Sequence, residues 1–196
     1  MSQSSFFEND NPLRLWYLEP SSRIPYIKSY DNDIWQQNTL PIGNGFIGAN
    51  VFGEIQNEVL TFNELTLWQG GPSPKRPNYK GGNNPEKGKN GLTFRKIQQL
   101  FSEGKDKEAE SLCNELVGDR DGYGSYIEFG RIKIDFDINE KDVKNYVRWL
   151  DINQAITYVQ YEYEGSVITR EYFVSYPDNV LVIHVKTTGQ KIPNFT

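Results

Sequence analysis

RIKIDFDI (131–138), YVRWLDI (146–152), ITYVQYEYEG (156–165), SVITREYFVSY (166–176) and NVLVIHVKT (179–187) are successive segments in which apolar and polar residues alternate. In the first, Ile132, Ile134, Phe136 and Ile138 take one side of a period of two, and Arg131, Lys133, Asp135 and Asp137 take the other. A strand with one buried and one wet face has this pattern, and such strands pair antiparallel. Asn153-Gln154, Glu164-Gly165 and Pro177-Asp178 punctuate the segments at hairpin spacing, so the second half of the chain predicts a β-meander.

Upstream, Leu13–Leu18 reads as a first strand ended by Pro20, and residues 19–38 read as irregular. LPIGNG (40–45), FIGANVFG (46–53) and EVLTFNELTLW (58–68) read as strands, with Gly43, Gly45, Gly48 and Gly53 marking tight turns or bulges. Residues 70–91 are rich in Gly and Pro and predict a long surface loop. Phe94, Ile97, Leu100 and Phe101 then recur at helical spacing, and Ala109, Leu112, Cys113 and Leu116 resume it beyond Gly104. This predicts a helix pair over 93–103 and 105–117. About nine strands with one helical insertion and no strand–helix alternation predict a mostly β fold, an antiparallel β-sandwich with a helical hairpin insertion. The domain is placed at 13–196, the insertion at about 93–117, and residues 1–12 are read as a loose terminus.

The chain has 196 residues, enough for one domain with a long insertion, and its 11 Phe, 12 Tyr and 4 Trp offset a hydrophobic content of 37% in building a core. A net charge of -5 provides no attraction for nucleic acid or an anionic membrane, so neither is expected as a partner. One Cys and one His exclude an intrachain disulfide framework, a CxxC metal site and a multi-His zinc site; no metal or other cofactor is expected. Neither a signal segment nor an apolar run of membrane-spanning length is visible, and the expectation is a soluble chain, cytoplasmic or secreted with its signal removed.

GxSxG and GxxxxGK[ST] are absent, and the Gly-rich stretch 40–53 opens no helix, so neither a serine nucleophile elbow nor a phosphate cradle is supported. Asp135, Asp137, Glu162 and Glu164 fall on polar strand faces, and Glu103, Glu108, Glu110 and Glu115 on polar helix faces. Cys113 lies on an apolar helical stripe and His184 within a strand, and both read as structural. What remains is a glycine-framed loop region holding Asn44, Glu64, Trp68 and Gln69, with Tyr123 and Tyr126 in DGYGSY (121–126). Aromatic faces beside amide groups suit the C–H faces and hydroxyls of sugars. These six are the candidates for a substrate rim or an interdomain surface, and Pro41, Ile42, Phe46 and Trp68 are expected to form an exposed apolar patch.

Taken together, LRLWYLEPS (13–21), LPIGNGFIGANVFG (40–53), LTFNELTLWQGGP (60–72), GSYIEFGRIKIDF (124–136), YVRWLDINQAITYVQYEYEG (146–165) and REYFVSYPDNVLVIHV (170–185) resemble the amino-terminal domain of the α-L-fucosidases of glycoside hydrolase family 95. The resemblance covers residues 13–188 in family order and implies a β-sandwich of the super-sandwich type. It further implies a long parent enzyme in which an (α/α)6 barrel, joined by a linker, hydrolyses terminal α-L-fucosyl linkages with inversion. No barrel motif has a counterpart in this chain. The expected role is therefore a non-catalytic domain that packs on the barrel and lends loops to the site of a fucosylated glycan, with no catalytic residue of its own. The family's sandwich extends beyond the VLVIHV strand, so the domain is expected to be incomplete at its carboxy-terminal end. A free-standing carbohydrate-binding module is the alternative.

Overall fold

The computed structural model describes residues 13–25, 33–70, 75, 91–116, 125–191 and 193–196. They divide between two compact units, residues 1–66 with 128–196 and residues 67–127.

The first unit is the predicted sandwich, mostly β and built of two antiparallel sheets. The five-stranded sheet has the order β1 (Arg14–Tyr17), β8 (Lys144–Asp151), β9 (Ile156–Tyr163), β10 (Ser166–Ser175), β11 (Val180–Thr188). In the second sheet, β2 (Leu40–Gly43), β3 (Ile47–Val51), β4 (Asn57–Glu64) and β7 (Gly130–Asp135) follow one another. The predicted meander is present from β8 to β11, but its expected first segment, β7, lies in the second sheet and pairs with β4 instead of β8. The alternation is visible as burial: Val159, Tyr161, Ile168 and Tyr172 point inward with no exposed surface. They share one core with Ile42, Val51 and Leu60 from the second sheet, and each side chain so buried contributes roughly 1.5–3 kcal/mol. Residues 194–196 run beside the end of β7, where Asp135 and Thr196 exchange both backbone hydrogen bonds and Phe195 lies against Phe136.

Two local readings differ from expectation. The run 58–68 does not continue as one strand: β4 stops at Glu64, whose carboxylate accepts the backbone N–H of Thr66 and folds the chain into a turn. Within the stretch read as irregular, α1 (Ile34–Gln37) forms because Asp33 and Gln36 make a reciprocal capping box.

The second unit holds the helix pair, α2 (Leu92–Ser102) and α3 (Asp106–Cys113), around a small core of Ile97, Leu100 and Ala109. Gly104 sits between them at φ +70 and ends the first helix, the left-handed position at which glycine carries no Cβ penalty. Cys113 packs against the Ile97–Leu100–Ala109 cluster, as its place on the apolar stripe predicts. The same unit holds a two-stranded ribbon of β5 (Trp68–Gln69) and β6 (Ser125–Tyr126). Most of the expected 70–91 loop lies outside the described residues.

Candidate functional site

Two turns at one end of the sandwich are joined by a single side chain, Asn44. The turn between β2 and β3 reverses at Gly45, which has φ +90. Asn44 Oδ1 accepts the backbone N–H of Phe46 at 2.9 Å and of Ile47 at 2.8 Å, which shapes that turn from inside. Its Nδ2 donates to the Ser175 carbonyl and to Asn179 Oδ1, each at 3.0 Å, and so reaches the β10–β11 turn of the other sheet. A neutral amide offers two acceptor sites and two donors, so four bonds spend its whole capacity. Asn44 therefore positions loops and has no hydrogen bond left for a ligand.

Glu64 has a comparable role at shorter range. Both carboxylate oxygens accept the Thr66 N–H at 3.1 Å, and Oε2 also accepts the Thr66 hydroxyl at 2.6 Å. Leu65 N–H bonds the Phe46 carbonyl at 2.8 Å, which ties the exit of β4 to the β2–β3 turn.

Trp68 and Gln69 belong to the second unit, where Trp68 pairs with Tyr126 and Gln69 with Ser125 in backbone register. The Trp68 side chain is 52% exposed. Tyr123 lies outside the described residues. Of the expected apolar patch, Pro41, Phe46 and Trp68 are exposed, but Ile42 is 7% exposed and belongs to the core. The correction follows from period two: Leu40 faces inward at the start of β2, so Ile42 does as well.

His184 sits on the outer face of the five-stranded sheet, with Nδ1 3.1 Å from the Glu171 carboxylate, which also accepts Lys186 Nζ at 2.6 Å. Partial burial raises the Glu171 pKa, but the Lys186 and His184 hydrogen bonds outweigh it and hold this carboxyl below its usual range. Among the described residues, no group of three His, Cys, Asp or Glu side chains is placed to hold a metal ion, and no helix is long and apolar enough to cross a membrane.

Sequence reasoning missed a charged cluster between the sheets. Glu58, with no exposed surface, accepts the N–H of Gly53 at 2.9 Å, the N–H of Val59 at 3.0 Å and the Tyr172 hydroxyl at 2.9 Å. Arg170, equally buried, lies 3.3 Å from Glu58 and donates to the Glu54 carbonyl. Its guanidinium sits 4.8 Å from the Phe136 ring centre and 5.6 Å from that of Tyr161. A second buried guanidinium, Arg148, lies 4.4 Å over the Tyr17 ring and donates Nε–H to the Glu19 carbonyl at 2.9 Å. Burial pushes the Glu58 carboxyl above the ordinary range, opposed by Arg170, Tyr172 and the two backbone donors. A raised carboxyl often marks a catalytic acid. Glu58, however, is sealed from solvent and held by three hydrogen-bond donors and the Arg170 charge, and its place is structural. A signal existed in the sequence: in SVITREYFVSY the alternation that buries Ile168 and Tyr172 also points Arg170 inward.

The family described as glycosyl hydrolase family 65, N-terminal domain, matches residues 15–196, and the chain belongs to it. Among curated proteins, it is 33% identical over 182 residues to a probable alpha-fucosidase A of Aspergillus niger, a match covering 93% of this chain and 21% of that protein. It is 29% identical over 150 residues to alpha-L-fucosidase 2 of Arabidopsis thaliana (76% of this chain, 16% of the relative) and 31% identical over 148 residues to a probable alpha-fucosidase A of Aspergillus oryzae (76% and 19%). Family and relatives together make it an N-terminal domain of an α-L-fucosidase-like glycosidase. The chain spans about a fifth of the length of these relatives.

If Asn44 positions the two turns, its two halves are separable. Asn44→Asp keeps the acceptor for Phe46 and Ile47 and loses the donors to Ser175 and Asn179, whereas Asn44→Ala loses both. At a net of about 0.5–1.5 kcal/mol per hydrogen bond, Asn44→Ala is expected to destabilise by about 2 kcal/mol or more. Amide hydrogen exchange reads the pattern: Asn44→Asp speeds exchange only in the 176–180 turn, Asn44→Ala in both turns. Equal exchange in the two variants would refute the assignment.

Proposed function

We propose that this chain is a non-catalytic domain of a glycosidase that hydrolyses terminal α-L-fucosyl linkages with inversion, the chemistry being carried by an (α/α)6 barrel outside these residues. In this reading the sandwich packs on the barrel. Asn44, Glu64, Trp68, Gln69, Tyr123 and Tyr126 form or brace loops at the substrate rim or the domain boundary, where a fucosylated glycan is held. The similarity to proteins named as α-fucosidases supports the substrate class.

One observation carries the non-catalytic part. An inverting glycosidase needs an acid and a base on opposite sides of an accessible sugar, about 6.5–9.5 Å apart. Among the described residues the carboxyl whose pKa is raised as such an acid requires is Glu58, which is fully buried and held by three hydrogen-bond donors and the Arg170 charge, while Glu64 is spent on Thr66. The isolated chain is therefore expected to leave nitrophenyl α-L-fucoside intact. Turnover by pure protein that disappears on substituting Glu64 would overturn this.

A second reading, a carbohydrate-binding module, draws on the cross-strand row Trp16, Trp149, Tyr158 on the outer face of the five-stranded sheet. The rings of Trp149 and Tyr158 stack at 4.6 Å and 11°, so each spends a face on the other instead of offering it to a sugar. Calorimetric titration of the isolated chain with fucosylated oligosaccharides separates the readings, since millimolar or tighter binding favours the module.

A further inference from the structure

We propose that the end of the sandwich carrying the β2–β3 and β10–β11 turns is the docking surface for the rest of the longer polypeptide, anchored by Tyr176; this rests on the N-terminal-domain reading above. Six large apolar side chains are exposed at this end: Phe46, Leu65, Phe129, Ile152, Tyr176 and Val180. The register brings them together. Phe46 is in the β2–β3 turn, Leu65 follows β4 and Phe129 precedes β7, while Ile152 is in the β8–β9 turn and Tyr176 and Val180 flank the β10–β11 turn. Asn44 joins the two sets, Leu65 bonds Phe46, and Phe129 packs on Phe62 with ring centres 5.0 Å apart. The turns at the opposite end, Glu54 to Gln56 and Glu164-Gly165, are polar except for the buried Ile55. Leu18, Trp35 and Phe195 are also exposed, toward the opposite end, so the apolar surface is not exclusive to the turns described. The larger group is the six side chains around turns that Asn44 joins, and a cluster of that kind is the mark of an interface, whereas apolar side chains scattered singly are ordinary.

Tyr176 is 81% exposed, yet its turn is held from both sides. Ser175 Oγ donates to Asp178 Oδ2 at 2.6 Å and accepts the Asp178 N–H at 3.3 Å, and Asn44 bonds the Ser175 carbonyl and Asn179. A rigidly presented tyrosine loses little conformational freedom on docking, which is why such residues dominate interface energies. The occupant follows from chemistry and length. A sugar would need free amides and hydroxyls around the ring, but Asn44 is saturated and Ser175 and Asp178 bond each other. Protein side chains match an apolar surface, and the relatives hold about four-fifths of their length outside the matched region.

Hydroxyl-radical footprinting of the 196-residue chain, compared with the full-length protein that carries it, tests the proposal. Tyr176 and Phe129 should label freely in a monomeric isolated chain and several-fold more slowly in the full-length protein. Tyr176→Glu combined with Phe46→Glu, both at exposed positions, should shift the melting temperature of the isolated chain by no more than about 2 °C. In the full-length protein the same pair should restore labelling of Phe129. Equal labelling in the two proteins would overturn the proposal, as would an isolated chain that dimerises through these residues, protection of Tyr176 by a fucosylated oligosaccharide in the isolated chain, or a gene that encodes these 196 residues and no more. Fucosidase activity of the full-length protein, assayed separately, tests the domain reading, so either result can fail without the other.

Discussion

Replacing Arg170 by Met is expected to cost this domain about 3–5 kcal/mol, the usual consequence of leaving one member of a buried ion pair behind. Glu58 would keep the Tyr172 hydroxyl and the Gly53 and Val59 N–H groups but lose its counter-charge at a site without exposed surface. For a chain of this length, that corresponds to a fall in melting temperature of roughly 6–20 °C. Glu58→Gln should also destabilise, because an amide NH2 then faces the Arg170 guanidinium or the Tyr172 hydroxyl. The double variant separates pair from scaffold. Its loss should be smaller than the sum of the two single losses, since Arg170 and Glu58 compensate one another. It should not return to the parent value, because Arg170 no longer bonds the Glu54 carbonyl and the Gly53 and Val59 N–H groups face a neutral amide oxygen instead of a carboxylate. Denaturant midpoints for the four proteins give the coupling energy directly. A coupling within experimental error of zero would mean that the 3.3 Å contact does not join the sheets.

Gly53→Ala should be nearly as damaging, and for two independent reasons. The residue has φ +70, where a Cβ costs about 1–2 kcal/mol, and that Cβ would lie 2.7 Å from Arg148 Cδ and 2.9 Å from the Tyr146 hydroxyl. Overpacking of this kind costs typically about 1–3 kcal/mol more. The crowding has little room to relax, because Tyr146 donates its hydroxyl to the Gly53 carbonyl and Arg148 is held by the Glu19 carbonyl. Gly165 supplies the control, at φ +76 with nothing within 4 Å of the point where a Cβ would stand. Gly165→Ala should therefore show the backbone cost only, and Gly53→Ala roughly 1–3 kcal/mol beyond it. Thermal unfolding of both variants decides whether the excess exists; matching losses would reduce Gly53 to a turn glycine like any other.

The strands were legible because one face of each sheet is wet. Ile132 and Ile134 against Arg131 and Lys133 report which side meets water, and the same alternation carries β9, β10 and β11. Gly104 marked the break between the helices, since a left-handed residue there favours glycine. The end of β4 was less legible: EVLTFNELTLW reads as one strand until Glu64 is seen to accept the Thr66 N–H. That bond depends on a side-chain rotamer, which the pattern of apolar residues does not encode.

The candidate residues divide along the same line. Sequence picked Asn44 for its glycine frame, but its partners Ser175 and Asn179 lie 131 and 135 residues further along the chain. Short-range pattern carries no information on contacts at that separation. For the same reason Tyr176, in a turn that reads as simple punctuation, emerged only as the exposed member of a braced loop. Composition, charge and period two by themselves determined an acidic, antiparallel β-sandwich with a helical insertion, because burial against water acts on each strand locally. The tertiary structure alone decided that Glu58 and Arg170 meet between the sheets, that Asn44 spends its amide on two turns, and that six exposed apolar side chains from distant segments flank the turns at that end. Each of these depends on which strand ends the fold brings together, and a pairing between distant segments is a property of the packed chain.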